Sequence, residues 1–286
     1  MARTLPASYP SFEAPRNLPE YLANLKVMTF ELANNYRHAH LVVQPADLAL
    51  SPPESYLYIQ DGLIISCGVL YALCYVFYMI RTYRDKTCAG FIEFTCGTMA
   101  YEIFYAYATT TTAFERVSFS MWFLLDLTFA VVTILSTRAP GTRAPVVKRM
   151  IFGVLAFLAF FWKVVQMYPD EREQITAYWT GLALQFPIGW GSLYLLIKNK
   201  HAKGHSLEIW LTRYLGCWTA YGVFAWRYLN VPQNWSYVGS NVSIAVIVLT
   251  MIPETIYPFV YIWVHKKNKH QTSRHEVDYS DQKVAN

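Results

Sequence analysis

Apolar residues along the chain fall into seven long stretches that contain few charged side chains. Each stretch has the length of roughly 20 residues that an α-helix needs to cross about 30 Å of hydrocarbon. We therefore predict an all-α fold, a seven-transmembrane helix bundle preceded by a short N-terminal extension. The predicted spans are Leu57–Ile80, Thr87–Tyr107, Val117–Ser136, Arg149–Tyr168, Gln174–Ile197, Leu207–Leu229 and Val238–Val264.

The seven stretches divide the chain into three parts. Residues 1–56 form the extension, in which Leu18–His38 is predicted to be an interfacial helix because apolar residues follow a helix-capping sequence. Residues 57–267 form the membrane domain. Residues 268–286 are polar and charged, so we predict a disordered cytosolic tail.

Basic residues are concentrated in every second loop between the predicted spans. The positive-inside rule makes these loops cytosolic, so the N-terminus is predicted to be lumenal and the C-terminus cytosolic, in the membrane of the endoplasmic reticulum. The composition, 54% apolar and 15% charged, also excludes an ordinary soluble protein. The net charge of +5 therefore reflects membrane topology, and no nucleic-acid partner is expected.

Three carboxylic acids lie deep inside predicted spans: Glu102, Asp126 and Glu254. At 1.5 Å per helical residue they lie within about 7 Å of one another in depth. Ionisable residues in such positions are costly and usually face a protein interior, so inward-facing helices would bring the three acids into one pocket. Burial and a like-charged neighbour both favour the neutral form of a carboxyl group. We therefore predict a buried Brønsted acid.

Aromatic side chains accompany these acids on the same helix faces. Tyr101 and Tyr105 share a face with Glu102, Trp122 shares one with Asp126, and Tyr257 follows Glu254 by three residues. Because aromatic ring faces stabilise cations, an acid beside them suits chemistry that creates and steers a carbocation. The alternative is that these rings are ordinary packing residues of a membrane bundle.

Other chemistries lack a motif in this sequence. No Asp-Asp-x-x-Asp pattern is present to hold Mg²⁺ and a diphosphate, and no His-x-x-Glu-His or Cys-x-x-Cys pattern indicates a metal. We therefore predict neither a metal site nor a cofactor. His205 is expected to be a solvated loop residue, and the five cysteines are expected to pack inside or beside the spans.

Three short motifs carry a resemblance to a known family. They are Tyr101-Glu-Ile-Phe-Tyr105, Trp122-Phe-Leu-Leu-Asp126 and Gly204-His-Ser-Leu-Glu-Ile-Trp-Leu-Thr-Arg213. In this order, within a seven-span chain, they resemble the fungal membrane-bound terpene cyclases of meroterpenoid and indole-diterpene pathways, of the paxilline and pyripyropene type. The resemblance covers approximately Leu57 to Lys267.

The resemblance implies a metal-independent, non-redox cyclase in fungal secondary metabolism. Members of this family cyclise a prenyl chain attached to a polyketide or an indole, starting with protonation of a terminal epoxide or an olefin. The implied substrate is an epoxy-farnesylated or epoxy-geranylgeranylated aromatic or polyketide small molecule. Membrane lipid is the other expected partner.

The resemblance also assigns roles to residues of this chain. The family acid of the second span matches Glu102, and its second acid, typically Asp in the last span, is represented here by Glu254. Asp126 and Arg213 match motif positions, with a catalytic role and a positioning or folding role both open. We predict substrate contacts from Tyr101, Tyr105, Trp122, Arg213 and Tyr257.

A second class of function is a seven-span binding protein or a proton-coupled transporter, which also uses buried carboxylates. An opsin-like protein would need a lysine in the last span, and Val238–Val264 contains none. A transporter would be favoured by two matching halves with broken helices, and the sequence shows no convincing repeat of that kind.

Overall fold

The computed structural model describes residues 39–110, 112–169 and 175–285 of the chain, with side chains through Lys267. The predicted interfacial helix Leu18–His38 lies outside these residues. The division of the chain into an extension, a membrane domain and a tail stays a prediction.

Helices account for all the regular secondary structure of the described residues, which contain no strand, and the all-α prediction is confirmed. One-turn helices occur at Pro45–Leu48 and Pro232–Trp235. The longer helices are α1 Tyr56–Asp85, α2 Thr95–Phe104, α3 Ala113–Thr137, α4 Pro140–Met167, α5 Ile175–Asn199, α6 Leu207–Asn230 and α7 Asn241–Ala285.

Five helices of the described chain are long and apolar enough to cross a membrane: α1, α3, α4, α5 and the Asn241–Lys267 part of α7. Helix α6 has 24 residues but carries Glu208, Arg213 and Arg227 within them. Helix α2 is too short by itself. The structure thus supports five of the seven predicted spans by length and composition.

The second predicted span, Thr87–Tyr107, is wrong in its first part, which is not helical. Helix α1 ends where Lys86 adopts a left-handed conformation with φ of 53°, and a 3₁₀ turn at Ile92–Phe94 precedes α2. The ten residues of α2 continue into a five-residue π-helix, Tyr105–Thr109. Non-helical backbone at membrane depth is tolerated where it lines a cavity. Here the segment before α2 contributes four residues to a cavity wall: Cys88, Gly90, Phe91 and Phe94.

The helices pack as a closed ring. Helix α1 packs most extensively against α6 and also against α3, and α3 packs against α2. Helix α2 contacts α5, α5 packs against α7, and α7 returns to α6. Helix α4 lies outside this ring, against α2. Residues on the inner faces of α1, α2, α3, α5 and α6 line the cavities of the protein.

Two prolines inside α7 explain how this helix is held at the ring. Proline has no N–H, so each one leaves the carbonyl four residues earlier without its helical partner. Pro253 frees the carbonyl of Leu249, which accepts the Trp190 indole N–H at 3.1 Å. Pro258 frees the carbonyl of Glu254, which accepts the Trp210 indole N–H at 2.7 Å. Tryptophans of α5 and α6 therefore donate hydrogen bonds to both freed carbonyls. These contacts fix the rotation of α7 near Glu254.

The loop before α6 packs tightly against the end of α1. The backbone N–H of Gly204 donates to Asp85 Oδ2 at 2.8 Å, and Ser206 caps α6 by accepting from the N–H of Ile209. His205 is buried and hydrogen-bonds through Nδ1 to the Tyr257 hydroxyl at 2.9 Å, so the expectation that it is solvated is wrong. Burial, and then the positive charge of Arg213, lower the pKa of His205 to about 3. The imidazole is therefore neutral at physiological pH.

Replacing Gly204 by alanine is expected to destabilise the protein by at least about 1 kcal/mol. Gly204 has φ of 80°, and a Cβ there would lie 2.5 Å from the carbonyl oxygen of Thr87. Gly141→Ala is the matched control, because a Cβ at Gly141 meets no atom within 4 Å. Thermal unfolding in detergent should show a lower midpoint for Gly204→Ala alone; equal midpoints for the two variants would contradict the prediction.

Candidate active site

The structure brings two of the three predicted acids together. Glu102 of α2 and Asp126 of α3 are both buried, and their carboxyl groups lie within hydrogen-bonding range of each other. Thr98, four residues before Glu102 on the same face of α2, also hydrogen-bonds to Asp126 Oδ2. The contact between α2 and α3 thus creates a carboxyl pair inside the bundle.

Hydrogen-bond donors are distributed unequally over this pair. Asp126 accepts from the Thr98 hydroxyl, and the Tyr75 hydroxyl of α1 also reaches it. Glu102 Oε2 is buried and has no hydrogen-bond partner among the described residues. Hydrogen bonds to the charged form of a carboxyl group stabilise that form, and two carboxyl groups in contact favour a shared single proton. Asp126 is therefore the member of the pair whose charged form the neighbouring hydroxyl groups stabilise.

Glu102 lines a cavity of about 290 Å³ inside the ring of helices. Eight of the 18 residues around the cavity are aromatic, and they come from α1, α2, α3, α5 and α6. The aromatic residues are Tyr71, Tyr75, Tyr101, Phe119, Trp122, Tyr178, Tyr221 and Phe224. A buried acceptor without a partner is unfavourable by about 1–3 kcal/mol. A ligand that contacts Glu102 Oε2 in this cavity would relieve that cost. We call this space of about 290 Å³ the main cavity.

A second cavity of about 110 Å³ adjoins the main cavity. The two share five lining residues: Tyr71, Tyr75, Thr98, Gln185 and Ile188. Asp126 and Arg213 line the smaller cavity, and Glu102 lines the larger one. The carboxyl pair therefore lies at the junction of the two spaces.

Glu254, the third predicted acid, is held in an ion pair with Arg213. Arg213 Nε and Nη2 donate to the two Glu254 oxygens at 2.8 and 2.9 Å, and Arg213 Nη1 donates to the Tyr78 hydroxyl. Glu254 has no exposed surface and Arg213 is 2% exposed. Glu254 lines neither cavity. The bidentate geometry makes this a strong, charge-assisted contact between α6 and α7.

The predicted substrate contacts divide into two groups. Tyr101 and Trp122 line the main cavity, and Arg213 lines the smaller one. Tyr105 and Tyr257 line neither: Tyr105 packs with Phe161 and bonds to Thr180, and Tyr257 bonds to His205.

Sequence reasoning missed the contribution of α1 to the site. Tyr71, Tyr75 and Tyr78 follow one another at four- and three-residue spacing, so they share a face of α1. That face points at both cavities, at the Asp126 carboxyl group and at the Arg213 guanidinium. The spacing is visible in the sequence and was the signal that could have found them.

The described residues contain no group of three or more His, Cys, Asp and Glu side chains arranged to hold a metal ion. All five cysteines are free thiols, as expected for packing residues.

Fold and site together define a multi-pass integral membrane protein whose paired carboxyl groups face an aromatic-walled cavity. The family model of Pyr4-like transmembrane terpene cyclases matches residues 46–267. The chain belongs to this family. It is therefore a membrane enzyme of the terpene cyclase type, and the binding or transport alternative is not supported.

Curated relatives of this chain come from fungi. It is 32% identical over 241 residues to the Pyr4-family terpene cyclase mfmH of Annulohypoxylon moriforme, covering 82% of this chain and 98% of that protein. It is 21% identical to terpene cyclase macJ of Penicillium terrestre, covering 74% and 84%, and 27% identical to terpene cyclase ascF of Acremonium egyptiacum, covering 72% and 81%. No solved structure matches the chain.

Proposed function

We propose that this protein protonates the terminal epoxide, or the terminal olefin, of a prenylated polyketide or aromatic substrate and directs a carbocation cyclisation in fungal secondary metabolism. The observation that carries this proposal is Glu102 Oε2, a buried oxygen at the wall of an aromatic cavity that has no hydrogen-bond partner among the residues the structure describes. A proton donor shielded from water and surrounded by ring faces suits a reaction whose intermediates are cations.

With an epoxide substrate, the proposed reaction begins with proton transfer to the epoxide oxygen. Glu102 gives its proton to the epoxide oxygen, and the C–O bond at the more substituted carbon breaks as the neighbouring alkene forms a C–C bond. Positive charge then moves along the chain until the last cation loses a proton. For an olefin, the proton adds to a terminal alkene carbon and the later steps are the same. The product is an isomer of the substrate, since one proton enters and one leaves.

Asp126 supports this acid in the proposed mechanism. Its carboxylate, held by the Thr98 and Tyr75 hydroxyls, fixes the position of Glu102 and supplies negative charge beside the cations. The second acid expected from the resemblance, Glu254, is engaged by Arg213. We propose that the ion pair positions Arg213 and Tyr78 at the wall of the smaller cavity, and we predict a large loss of activity for Glu254→Gln.

The remaining expectations form part of the same proposal. Helices α2 and α6 would complete a seven-span bundle, with the basic loops in the cytosol and the protein in the endoplasmic reticulum membrane. The reaction would need no metal and no redox cofactor, because the proton supplied by Glu102 is sufficient to start it.

Heterologous expression with substrate feeding tests the proposed function. Microsomes containing the protein would receive epoxy-farnesylated and epoxy-geranylgeranylated aromatic acceptors. We expect a product of unchanged mass in which the epoxide has opened to an alcohol and at least one new carbon ring has formed, identified by mass spectrometry and NMR. Unchanged substrates in the presence of folded protein would refute the proposal.

A further inference from the structure

A third, larger space lies beside the main cavity, between α1, α3 and α6. It has a volume of about 550 Å³ and is walled mostly by apolar side chains, among them Val69, Met121 and Leu125. It shares five lining residues with the main cavity: Cys67, Phe119, Trp122, Ala220 and Phe224. We call this space the lateral groove.

The mouth of the lateral groove faces outward from the helix ring. Ile65, Val69 and Met121, which line it, are each more than half exposed. These residues belong to α1 and α3, two of the helices suited to cross a membrane. The groove therefore opens towards hydrocarbon, and Phe119 and Trp122 are among the residues that lie where it adjoins the main cavity.

Volume decides where the ring-bearing part of a substrate can lie. If the reacting end of the prenyl chain reaches Glu102, the other end must extend into one of the two adjoining spaces. The smaller cavity, at about 110 Å³, is smaller than the apolar cavity of about 150 Å³ that takes a single benzene. The lateral groove is several times larger than that and is apolar and aromatic.

We propose that the lateral groove binds the aromatic or polyketide ring system of the substrate while the prenyl chain extends through the main cavity to Glu102. This inference rests on the proposed function. The groove would then select the ring system of the substrate. Protonation would take place at a different site, at Glu102 in the main cavity.

Gly68 offers a direct way to fill the groove. It lines the groove, and a Cβ at this position meets no atom within 4 Å. Gly62, on the same helix, is equally open and lines none of the three spaces, so it is a matched control. At both positions a Cβ meets no neighbouring atom, so the backbone itself leaves room for a side chain.

The test compares Gly68→Leu and Gly68→Trp with Gly62→Leu and Gly62→Trp in microsomes, using two substrates. One is an epoxy-farnesylated aromatic acceptor, and the other is the epoxy prenol without any ring. We expect Gly68→Trp to lower kcat/KM for the ring-bearing substrate about tenfold or more, chiefly through KM, with Gly68→Leu intermediate. The ring-free substrate and both Gly62 variants should stay within about twofold of the unmodified protein. Equal losses on both substrates, or no loss on either, would overturn the groove assignment.

Photoaffinity labelling separates failure of this inference from failure of the proposed function. A ring-bearing prenylated probe with its photoreactive group on the ring should label peptides that contain residues 64–72 or 118–125, and excess unlabelled substrate should remove the label. This readout needs no turnover, so it judges the groove even if no product forms. Labelling of those peptides by a photoreactive phospholipid, unchanged by excess substrate, would assign the groove to lipid and overturn the inference.

Discussion

Replacing Glu102 by glutamine is expected to lower product formation by about 10²–10⁴-fold, the usual contribution of a general acid. The amide keeps the size and shape of the side chain but has no acidic proton to give. It can still donate to Asp126, so the contact between α2 and α3 is expected to persist. Turnover of an epoxy-prenylated acceptor in microsomes measures the effect, with the unfolding midpoint in detergent as the check on folding.

Glu93→Gln is the matched control for this experiment. Glu93 is an acid of the 3₁₀ turn just before α2, but its side chain is about half exposed and lies 3.8 Å from Arg149. Its replacement should leave turnover within about twofold of the unmodified protein, as for most surface changes. Full turnover by Glu102→Gln would remove Glu102 from the mechanism.

Breaking the Arg213–Glu254 ion pair is expected to destabilise the protein by about 3–5 kcal/mol, because either single replacement leaves an unpaired buried charge. Both side chains are buried, and together with Tyr78 they connect α1, α6 and α7. Arg213→Met and Glu254→Gln should each lower the midpoint of thermal unfolding in detergent. The double replacement Arg213→Met with Glu254→Leu should recover most of the lost stability, since apolar residues of similar size often substitute for such a pair.

Activity of the double variant then separates two roles for Glu254. If the pair acts only by holding α6 against α7, the double variant should recover part of the turnover along with its stability. If Glu254 is itself the second acid, the double variant should be stable and inactive. If the double variant were no more stable than either single variant, an unpaired buried charge would not be the cause of the lost stability. That result would contradict the prediction.

Several features of the fold could be predicted from the sequence because they depend on composition over many residues. Long apolar stretches indicated the helices, and the bounds of α1, α3 and α5 lie within a few residues of the predicted spans. The prediction of the second span was wrong in its first part because apolar composition does not distinguish a helix from an irregular segment that lines a cavity. Lys86 lies where the Gly204 loop packs against the end of α1, and the 3₁₀ turn contacts α4 and α5, so both have neighbours that are distant in the sequence.

The residue types of the site could be predicted from the sequence, but which side chains pair with one another could not. Glu102, Asp126 and Glu254 stood out as deep acids, but depth along a helix says nothing about rotation around its axis. Two pairs resulted instead of one triad: Glu102 with Asp126, and Glu254 with Arg213. Trp190 and Trp210, which hold α7 in its rotation by donating their indole N–H groups to the carbonyls freed by proline, belong to other helices.

By itself the sequence determined that the chain is helical, embedded in a membrane and equipped with buried acids among aromatic rings, because hydrophobic length and charge placement are local properties. Only the tertiary structure decided which acid keeps an unpartnered oxygen and which cavity it faces, because that choice depends on contacts between helices far apart in the chain. Hydrogen bonds from Thr98, Tyr75 and Arg213 engage Asp126 and Glu254, whereas Glu102 Oε2 has no partner in the described part of the chain.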